Sequence, residues 1–69
     1  MNVAQRIRQI RMERKYSQED IAALLNTTQQ QYSKYENETN EIPVRHVITL
    51  CKFYRISADW LLGLTDTLE

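Results

Sequence analysis

The chain has 69 residues, with one Gly, one Pro, one Cys and 42% hydrophobic residues. That length makes one small domain with a modest core, hiding about 60% of its unfolded surface, and leaves little room for an enzyme with a deep cleft. The formal net charge is zero, so any attraction to an anionic polymer has to come from how the charges are distributed.

Helix formers dominate the composition and predict an all-α fold of short helices. Val3, Ile7 and Ile10 recur at helical spacing and predict a first helix from about Val3 to Arg14, with Arg11 on the rim of the apolar stripe. Residues 1–16 carry Arg6, Arg8, Arg11, Arg14 and Lys15 against Glu13 alone. This basic helix is either a solvated face or a phosphate footprint, and Arg6 and Arg8 fit both readings. Residues 17–41 reverse the balance, with Lys34 against Glu19, Asp20, Glu36, Glu38 and Glu41.

Lys15 and Tyr16 connect to Ser17, which starts a second helix as its N-cap, with Asp20 at the capping-box position. That helix carries Ile21, Ala22, Leu24 and Leu25. Ala22 is small where another helix must approach, and Asn26 tolerates the left-handed conformation that ends a helix. Thr28 caps a third helix, with Gln31 three residues on. Tyr32 and Tyr35 face inward at i and i+3, which leaves Gln29, Gln30, Ser33 and Lys34 on the other sides. Three consecutive glutamines make little sense as a core. Taken alone they fit a solvated face; at the start of the second helix of a helix-turn-helix they fit the base edges of a DNA groove.

A polar loop follows at residues 37–42. Pro43 is placed as the first residue of a fourth helix that runs to about Tyr54, buries Val47, Leu50, Cys51 and Tyr54, and leaves His46 exposed. Ser57 caps a short fifth helix with Ala58, Trp60, Leu61 and Leu62, and Gly63 stops it. Trp60 fits the core or a dimer seam, and the sequence does not separate these. The expected domain spans residues 1–64, with a tail at 65–69. Cys51 has no disulfide partner and reads as an inert packing residue. No Cys/His cluster has zinc-ligand spacing, no apolar run approaches the ~20 residues of a membrane span, and no signal-peptide core opens the chain. A cytoplasmic location is expected. There is no Ser/His/Asp set, no pair of core-held carboxylates and no Gly-rich phosphate loop, so neither an enzyme nor a cofactor or metal is expected.

Six strings in fixed order carry a resemblance: Arg6-Ile7-Arg8, Ser17-Gln18-Glu19-Asp20-Ile21-Ala22, Thr28-Gln29-Gln30, Tyr35-Glu36-Asn37, Ile42-Pro43-Val44 and Ser57-Ala58-Asp59-Trp60-Leu61-Leu62-Gly63. Over about residues 3–63 the chain resembles the Cro/phage-repressor (xenobiotic-response-element-like) helix-turn-helix domains of bacterial regulators. The resemblance implies a lambda-repressor-like, five-helix DNA-binding domain whose helix-turn-helix is formed by helices two and three. It implies base contacts from Gln29, Gln30, Ser33 and Lys34, and phosphate contacts from Gln18, Thr28 and Asn37. In this family the residue matching Gln18 also steadies the helix-three glutamine. The resemblance further implies a structural ion pair between Arg11 and Glu36, and a homodimer seam around Ile56, Trp60, Leu61 and Leu64. The implied partner is a double-stranded DNA operator with half-sites ~34 Å apart, and the implied role is a sequence-specific transcriptional repressor. One segment departs from the pattern. Asn37-Glu38-Thr39-Asn40-Glu41 stands where the family has Asn-Gly and a basic residue. With the zero net charge, this acidic run keeps a second reading open: a protein-interaction module on the same fold, antitoxin-like or an anti-repressor partner, with weak or no DNA binding.

Overall fold

A computed structural model describes residues 1–67 of the chain. Among them the fold is all-helical: α1 (Val3–Glu13), α2 (Gln18–Leu24), α3 (Gln29–Glu36), α4 (Val44–Tyr54) and α5 (Ala58–Leu61). Each start has a local cause. Ser17 and Asp20 form a reciprocal capping box, and Asn2 with Gln5 forms a second one that the sequence reading lacked. Thr28 and Ser57 each accept one backbone N–H, from Gln31 and Trp60, without the reciprocal bond. Side-chain caps of this kind contribute about 1 kcal/mol apiece.

The helix ends depend on left-handed residues. Lys15, Asn26, Glu38 and Arg55 have φ between 57° and 68°. Asn26 occupies the position expected of it, whereas Glu38 takes the place of the absent glycine after α3. A neighbouring turn supports Glu38: Asn37 Oδ1 accepts from both the backbone N and the hydroxyl of Thr39, at 3.1 and 2.6 Å. Gly63 has φ +80°, and a Cβ there would sit 2.5 Å from the Met1 carbonyl oxygen. This is the one position where the chain requires glycine, because the α5 exit passes directly over the start of α1.

The core gathers Ile7 and Ile10 from α1, Ile21 from α2, Tyr32 from α3, Leu50 from α4 and Leu61 from α5, all nearly inaccessible to water. Burying a side chain of this size contributes roughly 1.5–3 kcal/mol. α3 packs on α2 and α1, and α5 packs on α1 and α4. The core therefore holds α3 from behind and leaves its outer face free.

Several expectations need correction. α1 ends at Glu13, with Arg14 as its C-cap. Pro43 is the N-cap of α4 rather than its first residue, because its ψ of 151° is extended; Val44 is the first helical residue. Cys51 is only half-buried. His46 is buried, with 8% of its surface exposed. The inward face of α4 runs through His46, Val47, Leu50 and Tyr54, and that phase turns the imidazole onto the Tyr35 ring, 5.9 Å between centroids. Arg6 is neither solvated nor available to phosphate. Its guanidinium stacks 4.5 Å over Trp60 and pairs with Asp66 at 3.0 Å. The expected seam also changes. Ile56, Trp60 and Leu61 are buried inside the protomer, and the face that α5 leaves exposed carries Ala58 and Asp59 instead. Of the four seam residues only Leu64 is open, at 73% exposed. Asp66 of the expected tail is engaged by Arg6, and residues 68 and 69 of that tail lie outside the described residues.

Candidate nucleic-acid interface

α2 and α3 are joined by a short turn through Asn26, Thr27 and Thr28. The left-handed Asn26 reverses the chain, and the Thr28 cap points the start of α3 away from the core. Gln29 and Gln30 occupy the first two positions of α3 and are exposed; Ser33 is half-buried one turn on, and Lys34 is exposed. These four side chains, with Gln18 of α2 and Asn37 at the end of α3, line one shallow concavity of about 400 Å³. The sequence-derived base set is thus brought together with two of the three phosphate candidates. Thr28, the third, lies exposed at the N-cap beside them. Gln31 is half-buried and stands outside the concavity.

The chemistry of this surface is that of amides, one hydroxyl and one cation. Gln and Asn side chains both donate and accept, which matches the adenine major-groove edge, and Lys34 supplies a point charge for a guanine edge or a phosphate. Glu38 and Glu41, which made the adjoining loop look hostile to DNA, line a different depression with Asn2, Val3 and Leu62. Asn2 Nδ2 donates to Glu38 Oε1 at 2.5 Å, tying that carboxylate to the start of α1.

Glu36 is bonded to Gln18 of the concavity, and its carboxylate is fully engaged. Arg11 Nε and Nη2 donate to its two oxygens at 2.7 and 3.1 Å. The Tyr32 hydroxyl donates at 2.5 Å and Gln18 Nε2 at 3.1 Å. Burial alone would push the Glu36 carboxyl up, but the donors from Arg11, Tyr32 and Gln18 outweigh it and hold the group below the usual carboxylate range. Burial and the same carboxylate push the Tyr32 phenol far up, so it stays a donor. Its hydroxyl is a functional group that sequence reasoning missed, having read Tyr32 as core alone. The i, i+4 relation of Tyr32 to Glu36 on one helix was the available signal.

A family model described as helix-turn-helix matches residues 7–61, from the middle of α1 to the end of α5. The chain belongs to the helix-turn-helix family. Among curated proteins it is similar to YobD of Bacillus subtilis (strain 168), described as an uncharacterized HTH-type transcriptional regulator, at 36% identity over 62 residues. That alignment takes in 90% of this chain and 55% of the relative, so the chain spans little more than half of that protein's length. In this helix-turn-helix, α2 is the buttress and α3 the presented helix. No helix among the described residues is long and apolar enough to cross a membrane, and no group of His, Cys, Asp and Glu among them could hold a metal ion.

Proposed function

We propose that this chain is a sequence-specific DNA-binding transcriptional regulator, a repressor that inserts α3 into the major groove of an operator in the cytoplasm. Gln29, Gln30, Ser33 and Lys34 read base edges; Gln18, Thr28 and Asn37 hold phosphates. The observation that carries this reading is the single concavity in which Gln18, Gln29, Gln30, Ser33, Lys34 and Asn37 converge, with Glu38 and Glu41 lining a separate depression. Family membership and the regulator named among its relatives support it. The working unit is a homodimer on a two-fold symmetric operator, with half-sites about one helical turn (~34 Å) apart. With no net charge, one protomer gains little from phosphate attraction, so joining two half-sites supplies much of the affinity.

Titration of a fluorescent random duplex at falling salt tests this function. A DNA binder tightens as salt falls, with a log–log slope of about −0.9 per neutralised phosphate. Absence of binding even at low salt would overturn the reading in favour of the protein-interaction module, which the zero net charge and the Glu38–Glu41 loop favour.

A further inference from the structure

The C-terminal ends of α1 and α4 meet at the surface. Arg14, the C-cap of α1, donates from Nη1 to the carbonyl oxygen of Tyr54, the last residue of α4, at 3.1 Å. Beside that bond Tyr16 packs on Phe53, with 5.3 Å between ring centroids. Both rings are partly open, at 38% and 40% exposed, and the buried Tyr54 ring backs them at 6.3 and 5.2 Å. Each open ring has two exposed cations beside it in the chain. Arg14 and Lys15 precede Tyr16, and Lys52 and Arg55 stand on either side of Phe53. Glu13 is the one acid in residues 12–16 and 51–56, in a chain whose net charge is zero. Part of this has a local reason, because cations suit helix C-termini. Arg14 is committed in that way to the Tyr54 carbonyl, and it lies 5.8 Å over the Tyr54 ring. Lys15, Lys52 and Arg55 make no such bond. The ion pairs among the described residues are Arg6–Asp66 and Arg11–Glu36, so these three cations are paired with no carboxylate.

We propose that this end of the molecule is a docking surface for an acidic protein segment with an apolar anchor. The carboxylates of the segment pair with Lys15, Lys52 and Arg55, and its anchor covers the Tyr16 and Phe53 rings. Aromatic anchors inside a charged rim are the usual make-up of a protein interface. Charge complementarity sets the sign of the partner, and the rings set its class. The outside of a DNA duplex offers phosphates to the cations but nothing apolar to cover two rings, whereas an acidic peptide offers both. The surface shares no residue with the concavity of α3, so substitutions can separate the two.

The probe is a short fluorescein-labelled peptide in which single leucines alternate with pairs of glutamates, and the control is an all-glutamate peptide of the same length. In anisotropy titrations of the full chain the leucine peptide should bind tighter than the control by about tenfold, the gain from covering one leucine on the rings. Lys52→Glu combined with Arg55→Glu should weaken both peptides by about tenfold or more at low salt. Phe53→Ala should bring the leucine peptide down to the control and leave the control as it was. In ¹H–¹⁵N spectra of the wild type the leucine peptide should shift the amides of residues 12–16 and 51–55 and leave residues 29–34 in place, a readout that needs no variant to fold. A random duplex should bind the wild type and the charge-reversed variant equally well at physiological salt. Equal affinity for the two peptides, or shifts centred on residues 29–34, overturns the docking surface. A charge-reversed variant that loses the duplex but keeps the peptide makes these cations a phosphate contact and overturns it too. So does self-association of the wild type that the charge reversal abolishes, since the occupant is then a second copy of this chain.

Discussion

Arg11 holds Glu36 side-on through two nitrogens, at 2.7 and 3.1 Å, and so fastens the last turn of α1 to the last residue of α3. Only 12% of the Arg11 side chain and 3% of the Glu36 side chain meet solvent. Their bond raises the Arg11 pKa further, so the guanidinium stays charged at any working pH.

Removing one partner of such a pair leaves a buried charge uncompensated, at about 3–5 kcal/mol. A domain of this size holds little more than that in total. Arg11→Ala is therefore expected to be largely unfolded at 25 °C by circular dichroism. Arg11→Met combined with Glu36→Leu should recover part of the loss, since two apolar partners leave no orphaned charge. An unchanged melting temperature for Arg11→Ala would contradict the burial seen here.

Acid should weaken the fold in two stages. Burial, with help from the Arg45 charge, lowers the His46 pKa below 6.5. A depressed folded value means that this contribution is complete above pH 6.5 and is lost as pH falls through the folded value. Glu36 is held below its ordinary 4.5, so its contribution is complete above pH 4.5 and disappears lower down. Urea midpoints measured from pH 7 to pH 3 should fall first with His46 and then with Glu36. His46→Phe should remove the upper stage alone; retention of that stage would exclude His46 as its source.

Gly63→Ala places a Cβ 2.5 Å from the Met1 carbonyl oxygen in a left-handed residue. The expected cost is about 1–3 kcal/mol, read as a lower urea midpoint with the slope unchanged. No change would mean that the α5 exit is free to move off the start of α1.

Much of this molecule was legible in the sequence, and for identifiable reasons. Ser17, Thr28 and Ser57 announced three helix starts because capping is a local interaction that a few residues determine. The amide row stood out because nothing apolar accompanied it. What stayed hidden was long-range. Arg6 looked like surface because its partners Trp60 and Asp66 lie more than fifty positions away. His46 looked exposed because one polar residue on an apolar stripe does not reveal the helix's phase. Ile56, Trp60 and Leu61 were set at a dimer seam because apolarity does not distinguish a protomer's own core from a surface awaiting a partner. The acidic loop looked like a barrier because its direction depends on the positive φ of Glu38 and its bond to Asn2.

With those three residues enclosed, a seam would use what remains exposed nearby, Leu62 and Leu64. Leu64→Asp should shift sedimentation equilibrium toward monomer and weaken binding to a two-half-site operator by tenfold or more, while a single half-site is bound as before. Unaltered association would place the seam elsewhere.

The claim on which the rest depends is that the amides of α3 read base edges. Selection from a randomised duplex pool, run in parallel with the wild type and Gln29→Ala, tests it most directly. The expected wild-type consensus is two-fold symmetric, with half-sites ~34 Å apart. Gln29→Ala should fold normally and lose preference at one position of each half-site, keeping the rest. The same consensus from both proteins, or no enrichment by the wild type, would contradict the account.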